Sequence, residues 1–295
     1  MQTCTRRLTH VWAFTVLAFA LFAAHGISGQ LEYSSGQEVV PDYAGWEANT
    51  DGSFNMVFGY MNRNYEEHLH VPVGANNKFE PGEIDRAQPT YFYPRRNRHQ
   101  FRVRVPSDFG TKELVWTLTS NGKTRRAYAT LKPDYALDGP AIYLNNSGYS
   151  MVGRAVRNKA PVVGIDGDLQ RAAKMGEPLT LTALVTDDGI PQARPTPLGG
   201  GAGFKSALGL RVAWIVYRGP GDKVTFAPEQ FKVYGDFAHE GANSPYTPGW
   251  VPPPLPPDGK HTVKAIFGEP GTYVVRVLAH DGGFDTARDV TVRVQ

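Results

Sequence analysis

The sequence is almost free of cysteine. Its one cysteine, Cys4, lies before an apolar run over residues 11–24, so it is not the lipidated cysteine expected just after such a run. Removal of the N-terminal segment would leave a mature chain with no thiol, which excludes disulfides and a cysteine nucleophile. An exported, cysteine-free chain is typical of a bacterial periplasmic or extracellular protein rather than of a small eukaryotic secreted domain.

Long hydrophobic runs are scarce as well. The run over residues 11–24 follows Arg6 and Arg7 and precedes the small residues Gly26 and Gly29. This order is that of a secretory signal peptide, which we assign to residues 1–29. A helix over residues 11–24 would reach about 21 Å, short of a hydrocarbon core of roughly 30 Å, so we expect no membrane span after cleavage. An uncleaved anchor is the alternative.

The recognised catalytic motifs are missing. The sequence has no Gly-x-Ser-x-Gly elbow, no His-Glu-x-x-His and no glycine-rich phosphate loop. The adjacent carboxylates Glu66 and Glu67 would point to opposite faces of a strand, which does not suit a glycosidase pair. The net charge of +3 is too small to indicate nucleic-acid binding. These absences favour a protein that is not an enzyme.

The residues that are abundant predict β-structure. There are 32 glycines and 23 prolines, which favour many turns and few long helices. Residues 262–294 contain two strand-like runs on either side of a turn at 268–271, the second of them the β-rich run over 272–279. A strictly alternating run over 289–294 follows, and together these runs predict the closing meander of a β-sandwich. We also expect strands over residues 53–60, 69–73 and 100–105, and a hairpin in which Asn121-Gly122 joins residues 114–118 to 126–131. Residues 76–82 are expected to form a loop.

The spacing of these strands predicts two domains. A polar lead-in over residues 30–45 precedes the first domain, residues 45–135, and a linker over 136–160 with a strand near 141–144 leads to the second, residues 161–295. In the second domain we expect the first secure strand at residues 178–185 and the central strand at 210–217. Two long segments, 191–208 and a proline-rich insert over 227–260, interrupt this domain. Proline density at 246–257 favours polyproline II.

The second domain contains an ordered set of motifs: 176–183, Asp187-Asp188-Gly189, Trp214, 219–221, 271–273, Asp281-Gly282 and 289–292. In this set the domain resembles secreted bacterial Ig-like modules of the polycystic-kidney-disease (PKD) type. The long inserts depart from the compact family pattern. The first domain resembles a poorly characterised exported bacterial module in residues 58–60, 71–74, 76–77, 81–82, 88–90 and 114–118. The resemblance implies an all-β chain of two Ig-like antiparallel β-sandwich domains in tandem, acting as spacers or as adhesion and interaction domains.

Three acidic residues are the candidate metal site. Asp187, Asp188 and Asp281 fall in loops of the second domain, and their carboxylates would suit Ca²⁺ if the loops meet. PKD-type relatives sometimes hold calcium at such loops. The alternative is that these aspartates form turns by bonding their own backbone.

A second metal hypothesis concerns zinc. His68 and His70 would share one face of a strand, with Glu66, Glu67 or His99 joining them in a metal-dependent hydrolase. A solvated strand end is the alternative and better interpretation.

The densest basic run is the candidate ligand site. The guanidinium group of arginine can donate two parallel hydrogen bonds to a carboxylate or phosphate group, and neighbouring aromatic rings can stack on sugar rings. The residues of this predicted site are Tyr91, Tyr93, Arg95, Arg96, Arg98, Arg102 and Arg104. The alternative is the polar outer face of one strand.

The function predicted is therefore an exported, non-enzymatic spacer or interaction module at the cell envelope or outside it. An accessory module that binds an anionic polysaccharide is the alternative. The partner expected is a protein or a polysaccharide, and the sequence leaves the oligomeric state open.

Overall fold

The computed structural model describes residues 33–138, 157–190, 192, 209–230 and 254–295. These residues form sixteen β-strands and two 3-10 turns, at Pro133–Tyr135 and Gly221–Lys223. Within them, no helix has the length and apolar character that crossing a bilayer requires. The predicted signal peptide, residues 1–29, lies outside the described residues.

The first sandwich consists of eight strands. They are β1 (Val39–Ala48), β2 (Phe54–Asn62), β3 (Leu69–His70), β4 (Asn77–Glu80), β5 (Tyr91–Phe92), β6 (Arg95–Val105), β7 (Leu114–Ser120) and β8 (Lys123–Ala129). One sheet has the order β1-β2-β6 and the other β4-β7-β8, while β3 and β5 pair as a short ribbon. All these pairings are antiparallel. The architecture is an Ig-like β-sandwich.

Local sequence patterns predicted several of these strands correctly. On β6 the side chains of Phe101, Val103 and Val105 are buried, while Arg102 and Arg104 point outward. The hairpin is confirmed: β7 and β8 pair up to Ser120 and Lys123, and the two residues between them have φ angles of 45° and 72°. Two left-handed residues in a two-residue loop match the right-handed twist of the strands, which explains the Asn-Gly sequence.

Aromatic rings fill the core of this sandwich. Phe58 on β2 packs edge-on to Phe79 and Trp116, with ring centroids 5.1 and 6.1 Å away, and stacks on Phe101 at 5.4 Å. All four side chains are at most 6% exposed. Such offset and edge-to-face contacts add to the area that the rings bury.

The second sandwich consists of the eight strands that follow. They are β9 (Val162–Ile165), β10 (Gln170–Ala173), β11 (Pro178–Thr186), β12 (Arg211–Arg218), β13 (Val224–Ala227), β14 (Lys260–Phe267), β15 (Gly271–His280) and β16 (Asp285–Val294). The sheets have the orders β13-β14-β11-β9 and β10-β16-β15-β12. The pairing of β10 with β16 is parallel and the others are antiparallel.

Two local features identify this sandwich as Ig-like. Trp214 on β12, the strand equivalent to strand C, is fully buried. At the corner between the sheets, the Tyr273 hydroxyl donates a hydrogen bond of 2.9 Å to the backbone oxygen of Glu269. A tyrosine that bonds back to the chain upstream at this corner is a hallmark of the immunoglobulin architecture.

Several sequence-based expectations about strands were wrong. The polar lead-in becomes strand from Val39 onward, and residues 77–80 form β4 rather than a loop. Asn77 is buried there because its side chain bonds the oxygens of Val71 and Pro89 at 3.0 and 2.8 Å and accepts from Trp116 Nε1 at 2.9 Å. The strand expected at 69–73 shrinks to Leu69–His70.

The arrangement of the second sandwich also differs from expectation. Strands β14 and β15 do not form a meander, because the turn over residues 268–270 carries the chain from one sheet to the other. Strand β12, which was predicted to be the central strand, is an edge strand of its sheet. The strand expected at residues 178–185 is confirmed as β11. Two strands of this sandwich that were not predicted, β9 and β10, precede it.

The division into domains at 45–135, 136–160 and 161–295 stays a prediction. Residues 33–295 form one compact unit. Most of the predicted linker and of both long inserts, together with the strand expected near 141–144, lies outside the described residues.

Candidate cation cluster and interface between the sandwiches

The predicted calcium ligands lie in loops that follow strands of opposite sheets. Asp187 and Asp188 come directly after β11, and Asp281 comes directly after β15. The charge of Asp187 contributes to the raised pKa of Asp281, so the two loops meet at one end of the second sandwich. The structure therefore places Asp187 near Asp281, while calcium binding by the three aspartates stays a prediction.

Asp281 is the most deeply placed of the three. Its side chain is fully buried, and Oδ1 accepts backbone hydrogen bonds from Gly283 and Phe284 at 2.6 and 2.7 Å. Oδ2 is buried and has no hydrogen-bond partner among the described residues. Burial raises the pKa of this carboxyl to about 6, although the two backbone bonds lower it. A carboxylate oxygen left in this state is available to a cation.

Asp187 and Asn158 present further oxygens at the same place. Asp187 Oδ2 accepts from the Gly189 amide at 3.0 Å, while its Oδ1 is buried without a partner among the described residues. Burial raises the pKa of Asp187. Asn158 is 8% exposed and lies beside Asp281, where it lowers the pKa of that carboxyl. Neither Oδ1 nor Nδ2 of Asn158 forms a hydrogen bond of good geometry within the described part of the chain.

Asp188 has a different role from its neighbours. Its Oδ1 accepts from the Ile190 amide at 2.8 Å and its Oδ2 from the Lys159 amide at 2.9 Å. The first bond is the turn-forming bond that the alternative interpretation expected. The second ties the segment before β9 to the loop after β11, which holds Asn158 at the cluster.

These oxygens are of the kind that Ca²⁺ prefers, but the acidic side chains alone provide too few ligands for the ion. The described residues contain no group of three or more His, Cys, Asp or Glu side chains placed to hold a metal ion. A calcium ion would need Asp187, Asp281, the amide oxygen of Asn158 and further backbone or water oxygens, since it takes six to eight ligands. Partial burial lowers the pKa of the nearby Arg211 to about 10, whereas the charge of Asp281 raises it.

The arginines of the predicted ligand site face carboxylates across the sheet. Arg102 forms a two-pronged ion pair with Glu47 at 2.8 and 2.9 Å. Arg104 pairs with Asp51, and Arg96 lies 3.8 Å from Asp42. These pairs are partly exposed, so each contributes little to stability.

The other two arginines of the run have different neighbours. Arg95 lies over the Tyr65 ring, 3.9 Å from its centroid, and donates to the Arg63 backbone oxygen at 3.3 Å. Burial and the charge of Arg96 lower the pKa of Arg98, whereas Asp42 raises it.

The aromatic residues of that predicted site are not on the same surface as the arginines. Tyr91 and Tyr93 are each 6% exposed and pack with Ile215 and Val216 of β12. Burial raises the pKa of Tyr91 above its usual value. The structure thus separates the two tyrosines from the outward-facing arginines. Glycan binding by the full set stays a prediction.

The histidines of the zinc hypothesis are not part of any group of three or more potential metal ligands among the described residues. The His68 ring lies 5.5 and 5.1 Å from the rings of Tyr91 and Tyr93. Burial lowers the pKa of His68 to about 4, and it lowers the pKa of His70 as well. His99 is buried on β6 at a φ of 51°.

Sequence reasoning missed the interface between the two sandwiches. The Val216 amide donates to the Tyr93 hydroxyl at 2.9 Å, and the Thr90 amide donates to the Tyr217 oxygen at 3.1 Å. The Gly219 amide donates to Thr90 Oγ1 at 2.9 Å. Residues of the first sandwich therefore satisfy the free edge of β12, which would otherwise be open to pairing with another chain.

Two arginines of the second sandwich hold this interface from the side. Arg218 pairs with both carboxylate oxygens of Asp85 at 3.0 and 2.6 Å and donates to the Gln88 oxygen at 2.8 Å. Arg276 donates to the Gln100 oxygen at 2.7 Å, and its guanidinium carbon lies 3.5 Å from the centroid of the Tyr217 ring. The aromatic-rich run at residues 91–93 was the only available sequence signal for this contact.

The Tyr217 ring belongs to the core of the first sandwich although the residue is on a strand of the second. It is 4% exposed and packs in the cluster that contains Phe58 and Trp116. Its hydroxyl donates to the Ala87 oxygen at 2.6 Å. The two sandwiches thus share one buried side chain in addition to their hydrogen bonds.

Comparison with known proteins shows similarity to solved structures alone. No family model and no curated protein matches the chain. Domains 4 and 5 of the S-layer protein SbsC are 9% identical, with 62% of this chain and 65% of that one covered and a TM-score of 0.25. Immunoglobulin domains 1–4 of Sidekick-1 are 10% identical, with 88% and 50% covered and a TM-score of 0.24.

Fibronectin(III)-like modules of Clostridium thermocellum CbhA are 11% identical, with 88% of this chain and 94% of that chain covered and a TM-score of 0.24. This chain thus spans about two thirds of the SbsC fragment and half of the Sidekick-1 fragment. Identities and TM-scores of this size carry no argument about function. The assignment of two Ig-like β-sandwiches rests on the strand pairing described above, and the finer resemblance to the PKD type stays a prediction.

Proposed function

We propose that the chain is an exported, non-enzymatic module that acts as a spacer or in interaction and adhesion, at the cell envelope of a bacterium or outside the cell. The observation that supports this best is the interface between the sandwiches. Hydrogen bonds, the Arg218–Asp85 ion pair and the shared Tyr217 ring fix one sandwich on the other. A fixed pair of sandwiches presents its loops and outer faces in a constant orientation, which suits binding to a surface.

Export is tested with the predicted signal peptide. Residues 1–29 are fused to a reporter phosphatase that is active only after export, and a matched fusion lacks residues 11–24. We expect activity outside the cytoplasm for the first fusion and none for the second. Equal activity of both fusions, or none from either, would contradict export through this segment.

The interaction function is tested with the mature chain, residues 30–295. The labelled chain is titrated onto intact bacterial cells and onto isolated envelopes, and saturable binding is expected. Incubation with polysaccharide, peptide and ester substrates is expected to give no turnover above that of heat-treated protein. Turnover that is lost in the variant His68→Ala would overturn the non-enzymatic proposal in favour of the metal-dependent hydrolase. Absence of saturable binding would contradict the interaction function and leave the spacer as the remaining function.

We further propose that a calcium ion stabilises the second sandwich at Asp187, Asp281 and Asn158. Two unpaired carboxylate oxygens and a poorly bonded amide at one place support this proposal. The ion would have a structural role, joining the segment before β9 to the loops after β11 and β15. The measurement that checks it is the thermal midpoint of unfolding with and without Ca²⁺, described in the Discussion.

A further inference from the structure

A second cluster of charged residues lies at one end of the first sandwich. Glu38, just before β1, is fully buried, and Arg63 Nη1 and Arg125 Nη2 each lie 2.8 Å from its Oε1. Lys123 Nζ lies 3.1 Å from Oε2. We refer to these four residues as the Glu38 cluster. Lys123 and Arg125 are two positions apart on β8 and so share one face, and β8 lies alongside β1.

The Glu38 cluster contains more positive than negative charge. Three cations surround one carboxylate, and their side chains are 46% to 50% exposed while that of Glu38 is not exposed at all. On the outer face of β6, by contrast, Arg96, Arg102 and Arg104 each face a carboxylate of their own. Burial alone would raise the pKa of Glu38, but hydrogen bonds from Arg125, Lys123, Arg63 and the backbone hold that pKa at about 2.

A second carboxylate at this end, that of Glu67, accepts hydrogen bonds from uncharged groups. Glu67 Oε2 accepts from the Gly36 amide at 2.7 Å and from Asn121 Nδ2 at 3.3 Å. Within the described part of the chain, no ion pair joins Glu67 to the three cations. The net charge of the Glu38 cluster is therefore +2, from three cations and one carboxylate.

Glu38 also fixes the positions of the cations. Each guanidinium directs one nitrogen to Glu38 and carries five N–H donors in all, and each of the two arginine side chains is 46% exposed, so further donors remain for a ligand. An anion that binds here meets side chains already ordered by the buried carboxylate, which lowers the entropic cost of binding. Carboxylate and sulfate groups match such donors because a guanidinium donates to two oxygens at once.

The exposure of the Glu38 cluster decides the size of the ligand. A solvent-exposed ion pair contributes only about 0–1 kcal/mol, so a single small anion would bind too weakly to be held. A polymer with repeated charges binds more tightly because each contact raises the effective concentration for the next. The net charge of the chain, +3, does not favour nucleic acid as that polymer.

We propose that the Glu38 cluster is the site at which this chain binds an anionic polysaccharide that carries carboxylate or sulfate groups. This inference rests on the proposed function as an exported interaction module, and it names the class of ligand for that module. It places the ligand on residues 38, 63, 123 and 125 rather than on the Tyr91–Arg104 run.

The test measures binding of the mature chain to immobilised polygalacturonate and dextran sulfate, with neutral dextran as a blank. The variant Arg63→Gln/Lys123→Gln keeps Arg125 on Glu38 and is expected to bind about tenfold more weakly to both polymers. The matched control Arg102→Gln/Arg104→Gln removes the same charge from the same sandwich and is expected to stay within about twofold of the unchanged chain.

Folding is checked for each variant by its thermal midpoint. If the double variant unfolds, Lys123→Gln alone replaces it, because the Lys123 contact is the longest of the three, and a loss of about threefold is expected. Equal losses in the control and in the cluster variant would show a general charge effect and overturn the site. A loss in the control alone would place binding on the β6 arginines and would also overturn it.

Two further outcomes concern the ligand. Tighter binding of polyglutamate than of polygalacturonate at equal charge would identify an acidic protein as the ligand and overturn the polysaccharide. No binding to either polysaccharide at physiological salt would overturn the inference as a whole. If the cluster variant still binds intact cells like the unchanged chain, the inference fails while the proposed interaction function stands.

Discussion

The amide of Val216 in the second sandwich donates a hydrogen bond of 2.9 Å to the side-chain hydroxyl of Tyr93 in the first. The amide is on a strand at the edge of its sheet, and the hydroxyl comes from a loop more than a hundred residues earlier in the chain. Both residues are at least 94% buried. A backbone donor at this depth needs an acceptor, so the contact makes the second sandwich depend on the first.

The variant Tyr93→Phe tests this dependence. Removing the hydroxyl leaves the Val216 amide buried without that acceptor, which is expected to lower the free energy of unfolding by about 1–3 kcal/mol. Urea denaturation followed by tryptophan fluorescence measures the change. Tyr128→Phe, at a side chain that is 56% exposed, is the matched control and is expected to change nothing. Unchanged stability of Tyr93→Phe would show that water replaces the hydroxyl.

The variant Gly221→Ala tests the close approach of the sandwiches. A Cβ atom at this position would lie 2.6 Å from the Tyr91 ring, too close for carbon atoms, so the interface must open or strain. Overpacking of this kind is expected to cost about 1–3 kcal/mol. Gly164→Ala is the matched control because its Cβ would have no neighbour nearer than 3.9 Å. Equal thermal midpoints for the two variants would contradict the tight interface.

The variant Tyr273→Phe tests the corner between the sheets of the second sandwich. It removes the hydrogen bond from the hydroxyl to the Glu269 oxygen and keeps the ring in the core. The expected loss is about 1 kcal/mol, the usual contribution of one such bond. Calorimetric unfolding measures it, and a loss above roughly 3 kcal/mol would mean that the ring itself has moved.

Acid unfolding tests the environment of Glu38. Its pKa in the folded chain is about 2, below the ordinary value of 4.5, so the cluster stabilises the fold above about pH 4.5. That stability is lost as the pH falls from 4.5 towards 2. It amounts to roughly 1–3 kcal/mol, because the half-exposed cations are screened by solvent.

The measurement is urea denaturation at a series of pH values. In Glu38→Gln the stability at neutral pH is expected to be lower and its dependence on pH between 4.5 and 2 weaker. Glu80→Gln, which removes an exposed carboxyl paired only with Lys78 among the described residues, is the control. If stability in Glu38→Gln still falls between pH 4.5 and 2 as it does in the unchanged chain, other groups cause that fall.

Calcium titration tests the cluster at Asp187, Asp281 and Asn158. Ca²⁺ is expected to raise the thermal midpoint of the chain by a few degrees, since an ion that binds only the folded state stabilises it by mass action. In Asp281→Asn this rise is expected to disappear. Without calcium the variant is expected to be at least as stable as the unchanged chain, because the asparagine accepts the same backbone bonds without burying a charge. A calcium response that survives in Asp281→Asn would place the ion elsewhere.

Strands with local signals were predictable from sequence, and strands that depend on distant partners were not. The Asn121-Gly122 hairpin and the alternation on β6 were predicted because a turn type and a half-buried strand each leave a pattern in a few residues. Strand β4 was missed because its polar Asn77 looks like a loop residue. Only the oxygens of Val71 and Pro89 and the Trp116 indole make its burial favourable.

The candidate site shows the same limit. Alternation correctly predicted that Arg102 and Arg104 point outward, but it gave no information on what lies beside them. Because residues 30–45 were taken for a polar lead-in, β1 was not predicted as a strand, and its Asp42 and Glu47 were not recognised as partners for the arginines of β6. Tyr91 and Tyr93 were assigned to a ligand for a related reason. A local sequence pattern does not distinguish a ring that stacks on a sugar from one buried by a strand far along the chain.

The Tyr217 ring in the core of the first sandwich has a consequence for the order in which the chain matures. A ribosome releases the first sandwich long before it adds residue 217, so that core remains incomplete while the rest of the chain is synthesised. Until then the site filled by Tyr217 is apolar surface open to water and to chaperones. The first sandwich therefore reaches its final packing only after β12, in the second half of the chain, has been synthesised.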